Sequence, residues 1–424
     1  MHLADISPRI AARTLVLERD THPRRKLCGG GCVLAVETCW KNLGLDFTEV
    51  PQVDANWVHL HHQGTGFKMR MEDQAFRVVR RNEFDSWLAM HMVRRGIELR
   101  EQTTVTELRI ESDGVLVRTN QGDFRAKVVV GADGAKGMVR KYVGKDAPTQ
   151  VARVVEMYTP LESKQGVGIT PADEAVLEFD CVSKGLQGDS WCFPMQKDGR
   201  PMWNFGVYDS AINPQGKSAG SLKEVMREYL SRYGHRIEDY ELQGHPIRMF
   251  RSDGVFSAPR LLLVGDAAGV DATFGEGISP ALGYGSVAAE MIRDAFDSGD
   301  FSLSGCKSRV LRSRLGKSLS LRTWMAKQLY RLQRPWMQSL IWHRGGPLVR
   351  WAIRKYVFNW AQLNPIAAKQ PASVLPGISL STIASLRGQG EVVHPEQPLS
   401  KPHIPVATNP TDALSKVNER SETR

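Results

Sequence analysis

Gly265-Asp266-Ala267-Ala268-Gly269 follows the apolar run Leu261 to Val264, and Gly275-Glu276-Gly277 then leads into a helical stretch. A short continuous apolar run reads as a buried parallel strand, and glycines just beyond its carboxyl end let backbone approach a ligand closely. Asp266, at that end, is placed to accept hydrogen bonds from a polyol or ribose. The free N–H groups and the dipole of the following helix start favour negative charge. Gly265, Asp266, Gly275, Gly277 and Ile278 are therefore candidate residues of a nucleotide site.

With small residues at Ala281, Gly283 and Gly285, this stretch resembles the second FAD motif of the flavin-dependent geranylgeranyl reductase and aromatic-hydroxylase superfamily. The resemblance implies that Asp266 binds the ribityl chain and that the helix start faces the flavin pyrimidine. Val128 to Gly134, with Asp133 and the following Val139-Arg140, is similar to the family's GADG element, although Gly137 stands where Ser is usual. Arg81, ahead of Phe84-Asp85 and Leu88, matches an Arg that lies near the cofactor in the family. From the residues alone, Asn82 is an N-cap, and Phe84, Trp87, Leu88 and His91 share one face of an amphipathic helix.

Leu15 to Leu17 reads as a strand ending in Glu18-Arg19, and an acidic residue there is how a dinucleotide fold holds the adenosine ribose. Pro23-x-x-Lys26-x-Cys28-Gly29-Gly30 is similar to the signature that separates geranylgeranyl reductases from hydroxylases. Cys28, beside Arg24, Arg25 and Lys26, is the candidate reactive thiol, a plain buried Cys being the alternative. Trp191-Cys192-Phe193-Pro194 resembles the element lining the reductases' substrate cavity, with Asp189 where Tyr is usual. Trp191, Phe193 and Pro194 are accordingly candidate substrate-binding residues.

The elements that must position these residues are legible in outline. Val105 to Ile110, Val115 to Thr119 and Phe124 to Val130 alternate like strands around polar turns. Ala175 to Phe179, Ser190 to Phe193 and Trp203 to Tyr208 read as an antiparallel sheet, interrupted by a helix that Ser221 and Glu224 open with a capping box and Gly234 closes. The resemblance implies an α/β fold with α+β elements: a glutathione-reductase-like, doubly wound FAD-binding fold, N-terminally incomplete, with an antiparallel β-sheet substrate domain and a helical C-terminal region. Expected divisions are 1–150 with 250–300 for FAD, 151–249 for substrate, 301–390 as a basic, Trp-rich helical region and 391–424 as a disordered tail.

A dinucleotide fold places a strand, a G-x-G-x-x-G turn and a helix ahead of the acidic residue, within a unit of about 30 residues. Seventeen residues precede Glu18, and 1–13 contain no Gly. The expectation is a truncated or misassigned start, the alternative being loss of the pyrophosphate-binding turn.

The six cysteines show no C-x-x-C pairing or partnered His spacing, so a structural metal is not expected and the thiols are read as reduced. No stretch reads as a secretory leader or a membrane span, the uncharged run 370–386 being broken by prolines. Between Phe301 and Gly390 there are fifteen Lys or Arg and no Asp or Glu, so this stretch carries +15 and the remainder −5. Five of the ten tryptophans lie there: Trp324, Trp336, Trp342, Trp351 and Trp360. Basic residues beside Trp and Leu on helices suit an anionic membrane interface. Solvated helices and, less favoured, nucleic acid are the alternatives.

The expected protein is a cytoplasmic, peripherally membrane-associated FAD-dependent oxidoreductase. The resemblance implies hydride delivery to C=C bonds of an isoprenoid or other lipid-like substrate, with NAD(P)H or ferredoxin as electron donor. An NAD(P)H-dependent hydroxylase or halogenase and a flavin-free lipid-binding remnant stand as alternatives. Ala268-Gly269 occupies the place where hydroxylases commonly have Ala-His.

Overall fold

The computed structural model describes residues 1–70, 76–144, 151–161, 172–213 and 220–362. Met1–Lys369 form one compact unit. Residues 363–424, which include the uncharged run 370–386 and the expected tail at 391–424, lie outside the described residues.

Two kinds of sheet build the compact unit. The apolar runs Val129–Gly131 and Leu261–Leu263 pair in parallel, with Ser257–Ala258 antiparallel at the edge. The strand Leu15–Leu17 pairs in parallel with Glu98–Arg100. These two parallel pieces are separate sheets, with no strand joining them among the described residues. The helices His2–Ile6 and Pro8–Ala11 supply Leu3, Ile10 and Ala11 to a small cluster with Ile97 and Ala289, apart from the main core.

Opposite lies a seven-stranded sheet in the order Gln243–Arg248, Val151–Pro160, Arg200–Asp209, Ser190–Lys197, Glu174–Glu178, Trp57–His62, Thr65–Arg70. It is antiparallel except where Glu174–Glu178 runs parallel to Trp57–His62. One face packs on the helix Leu222–Ser231, where Phe205 meets Tyr229 and Tyr233 edge to face. Ser221 caps that helix, its Oγ accepting the Glu224 N–H at 3.3 Å, which is the serine half of the expected capping box. The other face carries the site.

Some boundaries differ from the sequence reading. The run Phe124 to Val130 divides into Gly122–Ala126, which closes the three-stranded meander, and Val129–Gly131, which enters the parallel sheet. The helix Arg81–Arg94 starts one residue before the expected cap Asn82, with Arg80 at the N-cap and no side-chain cap bond. Helical geometry at Arg81 puts it one turn from Asp85, and the bidentate pair they form (2.8 and 3.0 Å) fixes the first turn instead.

Candidate functional site

The two parallel strands deliver both nucleotide motifs to one edge. Arg140, buried, donates to the Ala267 carbonyl at 2.9 Å and so ties the GADG turn to the Asp266 turn. Asp133 is exposed, and its Oδ2 accepts the Val139 N–H at 3.0 Å. A side chain at 137 would run into that carboxylate, because a Cβ there falls 2.0 Å from Asp133 Oδ1. Gly where Ser is usual is therefore what lets Asp133 close its own turn.

Gly275 takes φ +67°, backbone that favours glycine, and a Cβ there would stand 3.0 Å from the Tyr208 ring. The long helix opens at Ile278 with Gly277 as N-cap, and Asp266 Oδ1 is 3.3 Å from where a Cβ on Gly277 would stand. Glu276 folds back so that its oxygens accept the Ser279 N–H and O–H, each at 2.7 Å. Part of the helix start assigned to the cofactor is thus answered by the protein itself.

A relay of charges links the amino-terminal motif to Arg81. Glu18 accepts from Arg24 Nε at 3.1 Å, Arg24 reaches Asp85 at 3.2 Å, and Asp85 holds Arg81. Burial works against the Asp85 carboxylate, yet Arg81, Lys26 and Arg24 hold it below the usual carboxylate range. Arg81 and burial keep Lys26 below the usual ammonium range, with Asp266 and Asp85 opposing. Among the described residues Lys26 has no carboxylate within ion-pair distance. His245, facing Asp266, Lys26 and Arg81, is pushed down to about 4, chiefly by burial, and is neutral at pH 7. Arg81 also lies beside Cys28, whose Sγ accepts the Gly30 N–H at 3.4 Å. Cys28 is half-buried and the other five cysteines are buried, all free. Arg19 does not join this group, since it turns outward onto Asp20.

The inner face of the large sheet supplies an aromatic wall. Glu156, Gly206 and Trp191 stand opposite one another on three successive strands and share one face. Trp191 lies across Gly206, where a Cβ would meet the indole at 1.9 Å, and its Nε1 donates to Asn204 Oδ1 at 2.9 Å. Asn204 in turn donates to the Cys28 carbonyl at 3.3 Å, seating the Lys26–Gly31 loop on Trp191 and Phe193. Pro194, opposite Trp203, alternates to the other face and is not brought to this wall. Asp189, at the start of the Trp191 strand, is buried with neither carboxylate oxygen hydrogen-bonded. Burial, then Asp271, drive its carboxyl well above the usual range.

The basic C-terminal segment reaches the same place. Arg322, wholly buried in the helix Arg314–Leu329, lies 3.2 Å from Glu276 and 3.6 Å from Asp271. Trp360 Nε1 donates to Ser279 Oγ at 2.9 Å, and Tyr330 donates to the Thr273 carbonyl. The five tryptophans therefore do not form one surface: Trp342 and Trp360 are core, while Trp324, Trp336 and Trp351 are exposed with Leu340 and Leu348.

Sequence reasoning missed Glu156, Asn204, Tyr208 and Arg322. For Glu156 the available signal was one carboxylate inside the apolar strand Val151 to Tyr158; for Arg322 there was none, since it is one cation among fifteen. Among the described residues there is no cluster that could hold a metal ion, and no helix is long and apolar enough to cross a membrane.

The family profile described as FAD binding domain matches residues 41–281, which include Arg81, Asp133, Asp266, Gly275 and Gly277. An uncharacterized protein of Methanosarcina barkeri is 24% identical over 318 residues, 74% of this chain and 77% of that one. Digeranylgeranylglycerophospholipid reductase 2 of Methanosphaera stadtmanae is 28% identical over 243 residues, 56% of this chain, and the match spans 59% of that reductase's length. Among solved structures, a geranylgeranyl bacteriochlorophyll reductase-like protein of Thermoplasma acidophilum superposes with a TM-score of 0.66 at 19% identity, covering 85% of this chain and 94% of that one. A point mutant of halogenase PltM in complex with FAD superposes at 0.58 and 14% identity, covering 81% and 76%. Both structural likenesses are likenesses of fold.

Proposed function

The chain belongs to the FAD-binding-domain family, and from that premise we propose that it is an FAD-dependent oxidoreductase of the geranylgeranyl reductase type, reducing C=C bonds of an isoprenoid or other lipid-like substrate. The observation that carries this reading is the seating of Cys28–Gly31 on Trp191 and Phe193, beside the Asp266 turn. It sets an apolar aromatic wall next to a polar nucleotide edge.

The residues fit FAD. Lys26 and Arg81 crowd two cations together with no carboxylate on the ammonium, which suits phosphate or the flavin's anionic edge, and Asp266 suits the ribityl hydroxyls. Glu18 and Asp133 are assigned to the nucleotide end. Bound FAD, once reduced, supplies hydride. The chain's part is placement: the wall excludes water and gains binding energy from apolar area, while Trp191 is locked by Asn204 and Gly206. We assign FAD binding to 1–150 with 250–300 and substrate to 151–249, except that Trp57–His62 and Thr65–Arg70 extend the substrate sheet rather than the FAD part, and propose NAD(P)H or ferredoxin as donor.

The same reading places the protein peripherally on the cytoplasmic face of a membrane. Trp336 is 60% and Trp351 52% exposed, among exposed Arg334, Arg344, Arg350 and Arg354. Aromatics that are wet on one side amid cations suit an anionic lipid surface.

The test is to reduce the FAD-loaded protein without oxygen and mix it with a geranylgeranyl lipid. Flavin reoxidation with two hydrogens gained per double bond is expected. Substrate-dependent oxygen incorporation in air, with no reaction in its absence, would replace the reductase by a hydroxylase.

A further inference from the structure

The assignment above leaves the reduction without a source for its proton. Glu156 sits mid-strand in Val151–Pro160, 1% exposed, in the row that runs through Gly206 to Trp191. Its Oε1 accepts the Cys28 N–H at 3.0 Å and the Tyr158 O–H at 3.2 Å. Its Oε2 is buried with no hydrogen-bond partner. A buried carboxylate with one bare oxygen is costly, whereas a neutral carboxyl accepts both bonds at Oε1 and keeps an uncommitted O–H at Oε2.

We propose that Glu156 is the proton donor of the reduction, held neutral behind Cys28 with one oxygen fixed by the loop and the other free to give its hydrogen. The proposal rests on the reductase reading. In the balanced step, hydride from the reduced flavin brings both electrons to one alkene carbon as the C=C π bond breaks. The Glu156 O–H bond breaks and its proton forms the new C–H bond at the other carbon. The carboxylate left behind keeps the Cys28 N–H and Tyr158 O–H and regains a proton from water.

The surroundings agree. Burial pushes the Glu156 carboxyl up to about 7, against the pull of the Cys28 N–H, Tyr158, Arg25 and Arg81. Lys197, from the Ser190–Lys197 strand, stands 5.7 Å from the Tyr158 ring. A donor that titrates near the working pH both holds its proton and releases it readily.

Glu156→Gln keeps the acceptor at Oε1 and removes the proton. In carbonyl-region infrared titration of the full chain between pH 5 and 9, the wild-type-minus-variant difference should contain a carboxylic acid band vanishing with a midpoint near 7, the Glu178 band, also near 7, being common to both proteins and cancelling. With reduced FAD-loaded protein and geranylgeraniol in detergent, the variant should reoxidise about 10²–10³-fold more slowly, with flavin content and photoreduction unchanged and the limb near pH 7 lost. Glu156→Asp should recover part of the rate. A difference spectrum without that band, or an unchanged rate and pH profile, overturns the proposal. A wild-type protein that fails to reduce geranylgeraniol removes the substrate reading instead, and the infrared band then decides Glu156 by itself.

Discussion

Arg322 and Arg344 belong to one basic segment, yet the first is wholly buried between Glu276 and Asp271 and the second lies in solvent beside exposed Trp336 and Leu340. Trp360 and Trp351 repeat the contrast: one indole donates to Ser279 at the nucleotide helix, the other is half exposed and flanked by Lys355. Residue type is the same on both faces, and what differs is whether a carboxylate waits on the other side. The inner face meets Glu276 and Asp271, whose burial has to be answered by a cation. Arg344 and Arg350 on the outer face have no carboxylate within ion-pair distance among the described residues. A composition that reads as one surface therefore divides between core and exterior.

The largest effect should fall on the inner face. Arg322→Ala leaves Glu276 and Asp271 buried without their partner and should cost about 3–5 kcal/mol in chemical denaturation. Adding Glu276→Gln should recover a large part of it. A loss below about 1 kcal/mol would mean that the two faces are energetically alike.

On the outer face, replacing Arg344, Arg350 and Arg354 together by Glu should weaken binding to anionic liposomes by at least about 3 kcal/mol, at about 1 kcal/mol for each basic residue removed. Unfolding should change little, since exposed substitutions fall within roughly 0.5 kcal/mol each. Equal sedimentation with neutral and anionic vesicles in the wild type would end the contrast.

Buried acid should also show in stability. Glu156 ionises near 4.5 when unfolded and near 7 when folded, so the fold retains a proton that the unfolded chain has released, and stability falls as pH rises through that window. Glu178 is raised in the same direction by burial and Asp180, so the informative quantity is the difference between variant and wild type. Glu156→Gln should gain roughly 2–3 kcal/mol on the wild type between pH 5 and 7. A constant difference across that range would place Glu156 as an ordinary carboxylate.

The smallest of the four changes concerns flavin alone. Asp266→Ala should lower FAD affinity by about 1.5–3 kcal/mol, the worth of hydrogen bonds to a charged group, with little effect on unfolding of the flavin-free protein. Unchanged affinity by flavin fluorescence titration would remove Asp266 from the site.

Much of this was legible because local chemistry forces it. The Leu261 run, the Gly265-Asp266 turn and the capped helix at Ser221 are each dictated by neighbours within a few residues, and they stand as read. What could not be read depends on alternation and on distant partners. Pro194 follows Phe193 directly, and a period of two sends it to the opposite face. Glu276 sits between two motif glycines, so its turn back to Ser279 and its pairing with Arg322 require the folded chain. Arg19, adjacent to Glu18, was carried by proximity and points away.

Arg322 has a consequence for the order of events during synthesis. A chain emerging from its amino end completes Asp266, Asp271 and Glu276 before Arg322 or Trp360 has been made. Until they arrive, the two carboxylates at the head of the Ile278 helix lack their counter-ion and Ser279 lacks its indole, so that corner has reason to stay hydrated and loosely held. The last helices thus act as the closing stitch of a seam laid down much earlier, and a nascent chain stalled before them holds every recognisable nucleotide motif without the groups that lock it shut.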